Sequence, residues 1–250
     1  MRKSALTILA AVAATNLWAL PGTLSTETET VSGDIKWRAR EKKYVIEKGK
    51  VTKEFPLADV TALDIPKPQA FDNAVAQVEG GKATAAIPAL TKIVEDYRML
   101  QWDKPAGRYL AFAYLASGDA KKAYDLCEEV IKDDKTAAYT GDLAAAYWQA
   151  MLKLGKTDQL EKLLKKAATS GSRPAAAAAL AMRGDIIVAA SNDQPDKLKD
   201  AIREGYLRVV LMYQDCARER AEACLKAAQC FDKLGQSARA EKLRQQAKAN

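Results

Sequence analysis

From Phe71 onward the apolar residues recur at helical spacing, and the helices themselves recur at a longer period. Gly81, Gly118 and Gly155 stand 37 residues apart. Five residues past each comes a small or apolar side chain, Ala86, Ala123 and Leu160. Four further on stand Leu90, Cys127 and Leu164, and three beyond those Ile93, Val130 and Ala167. Steps of three and four keep such side chains on one face of a helix. Each Gly follows another helical segment, seen in Leu110, Ala111 and Tyr114 and again in Tyr147, Trp148 and Met151. It therefore marks a tight turn between two helices, where a left-handed backbone favours glycine. Around Gly235 the pattern returns, with Cys224, Ala227, Ala228 and Phe231 before it and Ala240 after. The stretch between, residues 173–213, reads as a long helix, a polar loop with Pro195 and a second long helix. Counting 37 from Gly155 lands on Asn192, inside that loop. The period predicts about five helix-turn-helix units over residues 67–250, an α-solenoid in which stacked neighbours bury what one unit cannot bury alone.

Upstream the period is two. Ile35, Trp37 and Ala39 alternate with charged residues, as do Tyr44 and Ile46, then Val51 and Phe55 around Lys53. The alternation breaks at Glu41-Lys42 and Lys48-Gly49-Lys50, which predicts a small antiparallel β meander of three or four strands over residues 34–66, closed by Pro66 and Pro68. The Ser- and Thr-rich residues 20–33 read as a linker. Residues 1–19 combine Arg2 and Lys3 with an apolar run and small residues at Ala14 and Ala19, the plan of a cleaved signal peptide. No Cys follows that run to take a lipid, so the expectation is a periplasmic or secreted protein with no transmembrane span after cleavage, not a lipoprotein.

The set Leu110, Ala111 and Tyr114, the turn Gly and the small residue opening the second helix (Ala123) resemble the tetratricopeptide (TPR) repeat over about residues 71–248. Trp is missing near the start of the first helices, and the closing Pro of each unit is absent. The segment KAAQCFDKLGQSARAEKLRQ resembles the closing repeat of bacterial envelope proteins of this type. The resemblance implies a mostly α, TPR-like solenoid that binds a protein or peptide in the concave groove lined by its first helices. By helical spacing the groove-facing residues include Arg108, Phe112, Gln149, Lys153, Met182 and Ile186, with the apolar three giving contact and Arg108 and Lys153 giving charge partners. Phe112 and Ala145 stand where some relatives clamp a terminal carboxylate with Lys and Asn, so that mode is not expected.

Charge and composition narrow the chemistry. The net charge of +7 comes from 39 basic and 32 acidic residues, mixed along the helices and not clustered as nucleic-acid binding requires. The β segment is more basic, and Arg38, Arg40, Lys42 and Lys43 support an alternative reading as a site for an envelope polyanion or glycan. The chain has no His, which removes the commonest general base and metal ligand. No phosphate-cradling Gly loop, nucleophile elbow or metal-ligand spacing occurs, so neither an enzyme nor a bound cofactor or metal is expected. Of the four cysteines, Cys224 and Cys230 sit six apart on one helix, a rise of about 9 Å, too far to bridge. Cys216 with either of them remains open, beside the reading of Cys127, Cys216, Cys224 and Cys230 as small core residues. The polar last helix, residues 237–250, suits the cap of a monomeric array.

Overall fold

A computed structural model describes residues 19–249, so the expected signal peptide lies outside the described residues except for Ala19. The chain divides into two compact units, Met1–Pro66 and Lys67–Asn250.

The first unit holds five strands: β1 (Leu20–Thr26), β2 (Thr30–Arg38), β3 (Lys43–Lys48), β4 (Val51–Pro56) and β5 (Val60–Asp64). They form one antiparallel sheet in the order β4-β3-β2-β1-β5. The stretch expected as a linker is therefore β1 and the first half of β2. Thr26 does hold the turn between the two strands, accepting from the Glu29 N–H at 3.1 Å, but most of the hydroxyl residues in this stretch are strand partners. Thr23 faces Ser32 and Ser25 faces Thr30, and each pair shares a side-chain hydrogen bond, at 3.1 and 3.0 Å. Cross-strand Thr and Ser pairs of this kind stabilise a sheet while reading as loop composition. On the opposite face of β1, Leu24 is buried, in line with Ile35, Trp37, Tyr44, Ile46 and Phe55 of the following strands. Trp37 and Tyr44 stand opposite each other in the register with ring centroids 4.8 Å apart.

The sheet must curl. The chain passes from the end of β4 to the start of β5 through one short 3-10 turn, Leu57–Asp59. Four residue steps reach about 14 Å at full extension. In a flat sheet these two edge strands, four positions apart, would lie about 19 Å from each other. The strands therefore coil into a small open barrel.

The second unit is helical: α1 (Phe71–Glu79), α2 (Ala83–Asp96), α3 (Asp103–Ala116), α4 (Ala120–Asp133), α5 (Asp142–Lys153), α6 (Thr157–Ala168), α7 (Arg173–Ala189), α8 (Pro195–Asp200), a π-helical turn (Ala201–Tyr206), α9 (Leu207–Met212), α10 (Ala217–Lys233) and α11 (Ser237–Lys248). These make five helical hairpins among the described residues, the stacked architecture of a TPR-like solenoid. Gly81, Gly118, Gly155 and Gly235 all have φ between 68 and 84°. At Gly118 the chain reverses through paired bonds, Gly118 N–H to Leu115 O at 3.2 Å and Asp119 N–H to Tyr114 O at 2.8 Å. That pairing is a Schellman motif, and it repeats at the other three glycines. Asp119 then caps α4 by accepting the Lys122 N–H at 3.0 Å. The fourth hairpin turns without glycine. Asn192 and Asp193 take the left-handed conformation instead, with φ of 47 and 58°. These two residue types tolerate it best after glycine.

The residues five past each glycine, Ala86, Ala123, Leu160 and Ala240, are all fully buried. Small side chains let the helices approach closely: Ala175, Ala177, Ala179 and Ala181 of α7 are buried in succession. Helix α7 and the π turn come close enough to require glycine on both sides. A Cβ on Gly205 would lie 2.7 Å from the Gly184 Cα, and one on Gly184 would lie 2.7 Å from the Tyr206 ring. Cys127, Cys216, Cys224 and Cys230 are free and buried as packing residues.

Candidate partner groove

One face of each first helix contributes to a common concavity of about 380 Å³. Helix α1 supplies Val78 and Glu79, α3 supplies Arg108, Tyr109 and Phe112, and α5 supplies Ala145, Trp148 and Gln149. Helix α7 adds Ala178, Ala181 and Met182, and α10 adds Glu219, Glu222, Leu225 and Lys226. Within each helix these positions are separated by one, three or four residues, as a single inward face requires. The alanines leave the space that the aromatic rings border.

The charged groups around this space are engaged with one another. Arg108, only 9% exposed, donates from Nη2 to Glu222 Oε1 at 2.7 Å. Its guanidinium also lies 5.4 Å from the Phe112 ring centroid and 5.8 Å from that of Tyr109. Among the described residues its buried Nε has no hydrogen-bond partner. Arg218 donates to Asp142 at 2.7 Å and to Glu219 at 2.9 Å. Asp185 accepts three bonds, from Gln149 Nε2 at 2.7 Å, the Tyr206 hydroxyl at 2.8 Å and Lys226 Nζ at 2.6 Å. Burial, with the Asp185 carboxylate beside it, pushes the Tyr206 hydroxyl far above its ordinary value, so it remains a donor. Arg218, Glu222 and Lys226 form a stripe with steps of four on α10, and they meet Asp142 of α5, Arg108 of α3 and Asp185 of α7 respectively.

Of the residues expected to face a groove, Arg108, Phe112, Gln149 and Met182 line this cavity together. Met182 is almost wholly buried and belongs to the helical core as much as to the cavity. Lys153 and Ile186 stand one turn further along α5 and α7, outside the lining. Lys153 is exposed, and Ile186 is half-buried against the central core. Arg108 is not the free cation its spacing suggested, because the solenoid curls until α10 faces α3 across 114 residues of sequence. Spacing along one helix says which face points inward but not which helix comes to stand opposite. Among the lining residues that spacing did not single out, Glu222 and Lys226 were marked by the four-residue charge stripe of α10, while Glu219, beside it, was not.

The basic cluster of the first unit is partly neutralised. Lys43 lies between Glu41 and Glu54, the latter at 2.6 Å, and Arg38 reaches the same two carboxylates at 3.7 and 3.3 Å. Lys43 and Arg38 in turn hold the Glu41 carboxyl below its ordinary range. Arg40 and Lys42 are exposed and form no ion pair among the described residues.

No protein-family model matches the chain, and no curated protein matches it. Among solved structures, a Podospora anserina putative kinesin light chain with nearly identical TPR-like repeats is similar, at 18% identity over 72% of this chain and 91% of that one, with a TM-score of 0.42. MamA MSR-1 is similar at 17% identity over 72% and 94%, with a TM-score of 0.37. MamA AMB-1 is similar at 16% over 72% and 96%, with a TM-score of 0.39.

Proposed function

We propose that this chain is a non-catalytic, exported scaffold that binds a protein or peptide partner on the concave face of its helical unit. The observation that carries the reading is the convergence of all five first helices on one cavity bordered by the partly exposed rings of Tyr109 and Phe112. Aromatic side chains beside unfilled space are the usual anchor points of protein interfaces. Export rests on the first 19 residues, and a cut after Ala19 would leave β1 whole from its first residue, Leu20. The measurement is photo-crosslinking in living cells from residue 112 and, separately, from residue 40. One dominant protein adduct from position 112, on a chain recovered from the envelope fraction without its first 19 residues, supports the scaffold.

The second reading, an envelope polyanion on the first unit, draws on Arg40 and Lys42 as exposed cations in the turn between β2 and β3. It requires binding that collapses with salt and with Arg40→Glu and Lys42→Glu together. Adducts from position 40 that are not protein, with none from position 112, would replace the scaffold by this reading.

A further inference from the structure

We infer that the concave cavity accepts a single apolar side chain flanked by a basic residue, and not a partner helix. This rests on the scaffold reading and specifies its partner.

The size argument comes first. A helix with its side chains is about 10–12 Å across, so a cavity of about 380 Å³ takes inserted side chains and not the whole cross-section of a helix. The Arg108–Glu222 pair also joins α3 to α10 at the wall of the cavity, so a helix laid between those two helices would have to break it. An extended peptide that inserts one side chain meets neither obstacle. The space is bordered by Val78, Tyr109, Phe112 and Leu225, which suits an aromatic or long aliphatic group.

The charge argument fixes the neighbour. The chain as a whole is basic, at +7, yet the cavity lining has three acids, Glu79, Glu219 and Glu222, against two bases, Arg108 and Lys226. Four of these five are engaged: Arg108 with Glu222, Glu219 with Arg218, and Lys226 with Asp185. Glu79, at the exposed end of α1, forms no ion pair among the described residues. A cation beside the inserted side chain therefore finds a free carboxylate, whereas an anion meets a like charge, a difference that is largest at low salt.

The test uses the full chain and two blocked tripeptides, acetyl-Lys-Phe-Lys-amide and acetyl-Glu-Phe-Glu-amide, titrated by calorimetry at low salt. The basic peptide should bind at least fivefold tighter than the acidic one. Glu79→Lys should reverse that order, and it leaves folding intact because the site is exposed and a cation suits a helix C-terminus. Ala145→Trp should abolish both by filling the cavity, with helicity by circular dichroism as its control. Equal affinities, an order unchanged by Glu79→Lys, or no binding of either peptide at millimolar concentration overturns the inference. If the peptides fail while position 112 still captures one protein in cells, the scaffold stands and this account of its partner falls. If both fail, both fall.

Discussion

Asp185 shows how much one side chain organises here. It is nearly buried and accepts from α5, the π turn and α10 at once, so one carboxylate ties together three elements. Asp185→Ala leaves three donors without their acceptor. A buried donor left unpaired costs about 1–3 kcal/mol, so the variant should lose about 2 kcal/mol or more in denaturant unfolding. The same residue is the last of an Arg-Gly-Asp triplet, whose placement inside α7 gives it this internal role and no loop presentation. Asp103 makes a pH prediction. Burial raises its carboxyl above the ordinary value, against the stabilising Met99 N–H at 2.9 Å. The folded chain thus holds this proton more tightly than the unfolded one. The contribution of Asp103 is full below about pH 4 and is lost as pH rises through the folded value. Asp103→Asn keeps an acceptor for Met99 but removes the titration. The stability of the parent chain relative to this variant should therefore fall as pH rises from about 4 and level off above the folded value.

At the scale of elements, glycine serves two different ends, and substitution separates them. Gly118 has φ of 84° and open space where a Cβ would stand. Gly118→Ala should cost about 1–2 kcal/mol through backbone strain alone. Gly184 is an ordinary helical residue whose Cβ would meet the Tyr206 ring. Gly184→Ala should cost about 1–3 kcal/mol by overpacking, and trimming the ring with Tyr206→Ala should remove that increment. Thermal unfolding of the three single variants and the Gly184→Ala/Tyr206→Ala pair distinguishes strain from crowding. If Gly118→Ala proves neutral, the left-handed turn is not what the 37-residue period encodes. The fourth hairpin sits at this scale too. It replaces the glycine by Asn192-Asp193 in register, but its second helix, residues 195–212 with the π turn inside it, is longer than α4 and α6, and α10 is longer than α3 and α5. Gly235 therefore comes 43 residues after Asn192 instead of 37.

For the helical unit as a whole, the consequential feature is curvature. Arg108 and Glu222 meet although 114 residues separate them, so their coupling reports whether the second and last hairpins hold their relative positions. With Arg108 buried and Glu222 about two-fifths exposed, a double-mutant cycle on Arg108→Met and Glu222→Gln should give a coupling of about 1 kcal/mol. A coupling near zero would mean that the array breathes open and that the cavity admits larger partners than one side chain. For the barrel of the first unit, curvature follows from connectivity, since a three-residue turn cannot span a flat five-stranded sheet.

Residue order alone carried the helical architecture. A 37-residue period, glycines that only a left-handed turn needs, and apolar steps of three and four are local facts, and local backbone physics turns them into hairpins. It carried the boundary near Pro66 and four of the cavity residues for the same reason, because one helix has one inward face. It misread residues 20–33, since Ser and Thr serve strands and turns alike and the deciding factor is a partner strand. Tertiary structure alone decided that Arg108 would be paired, that Met182 would sink into the core, and that Lys153 and Ile186 would fall outside the cavity. Each of these depends on which helix stands opposite, and that follows from the summed curvature of five stacked hairpins, a quantity that no single stretch of the chain contains.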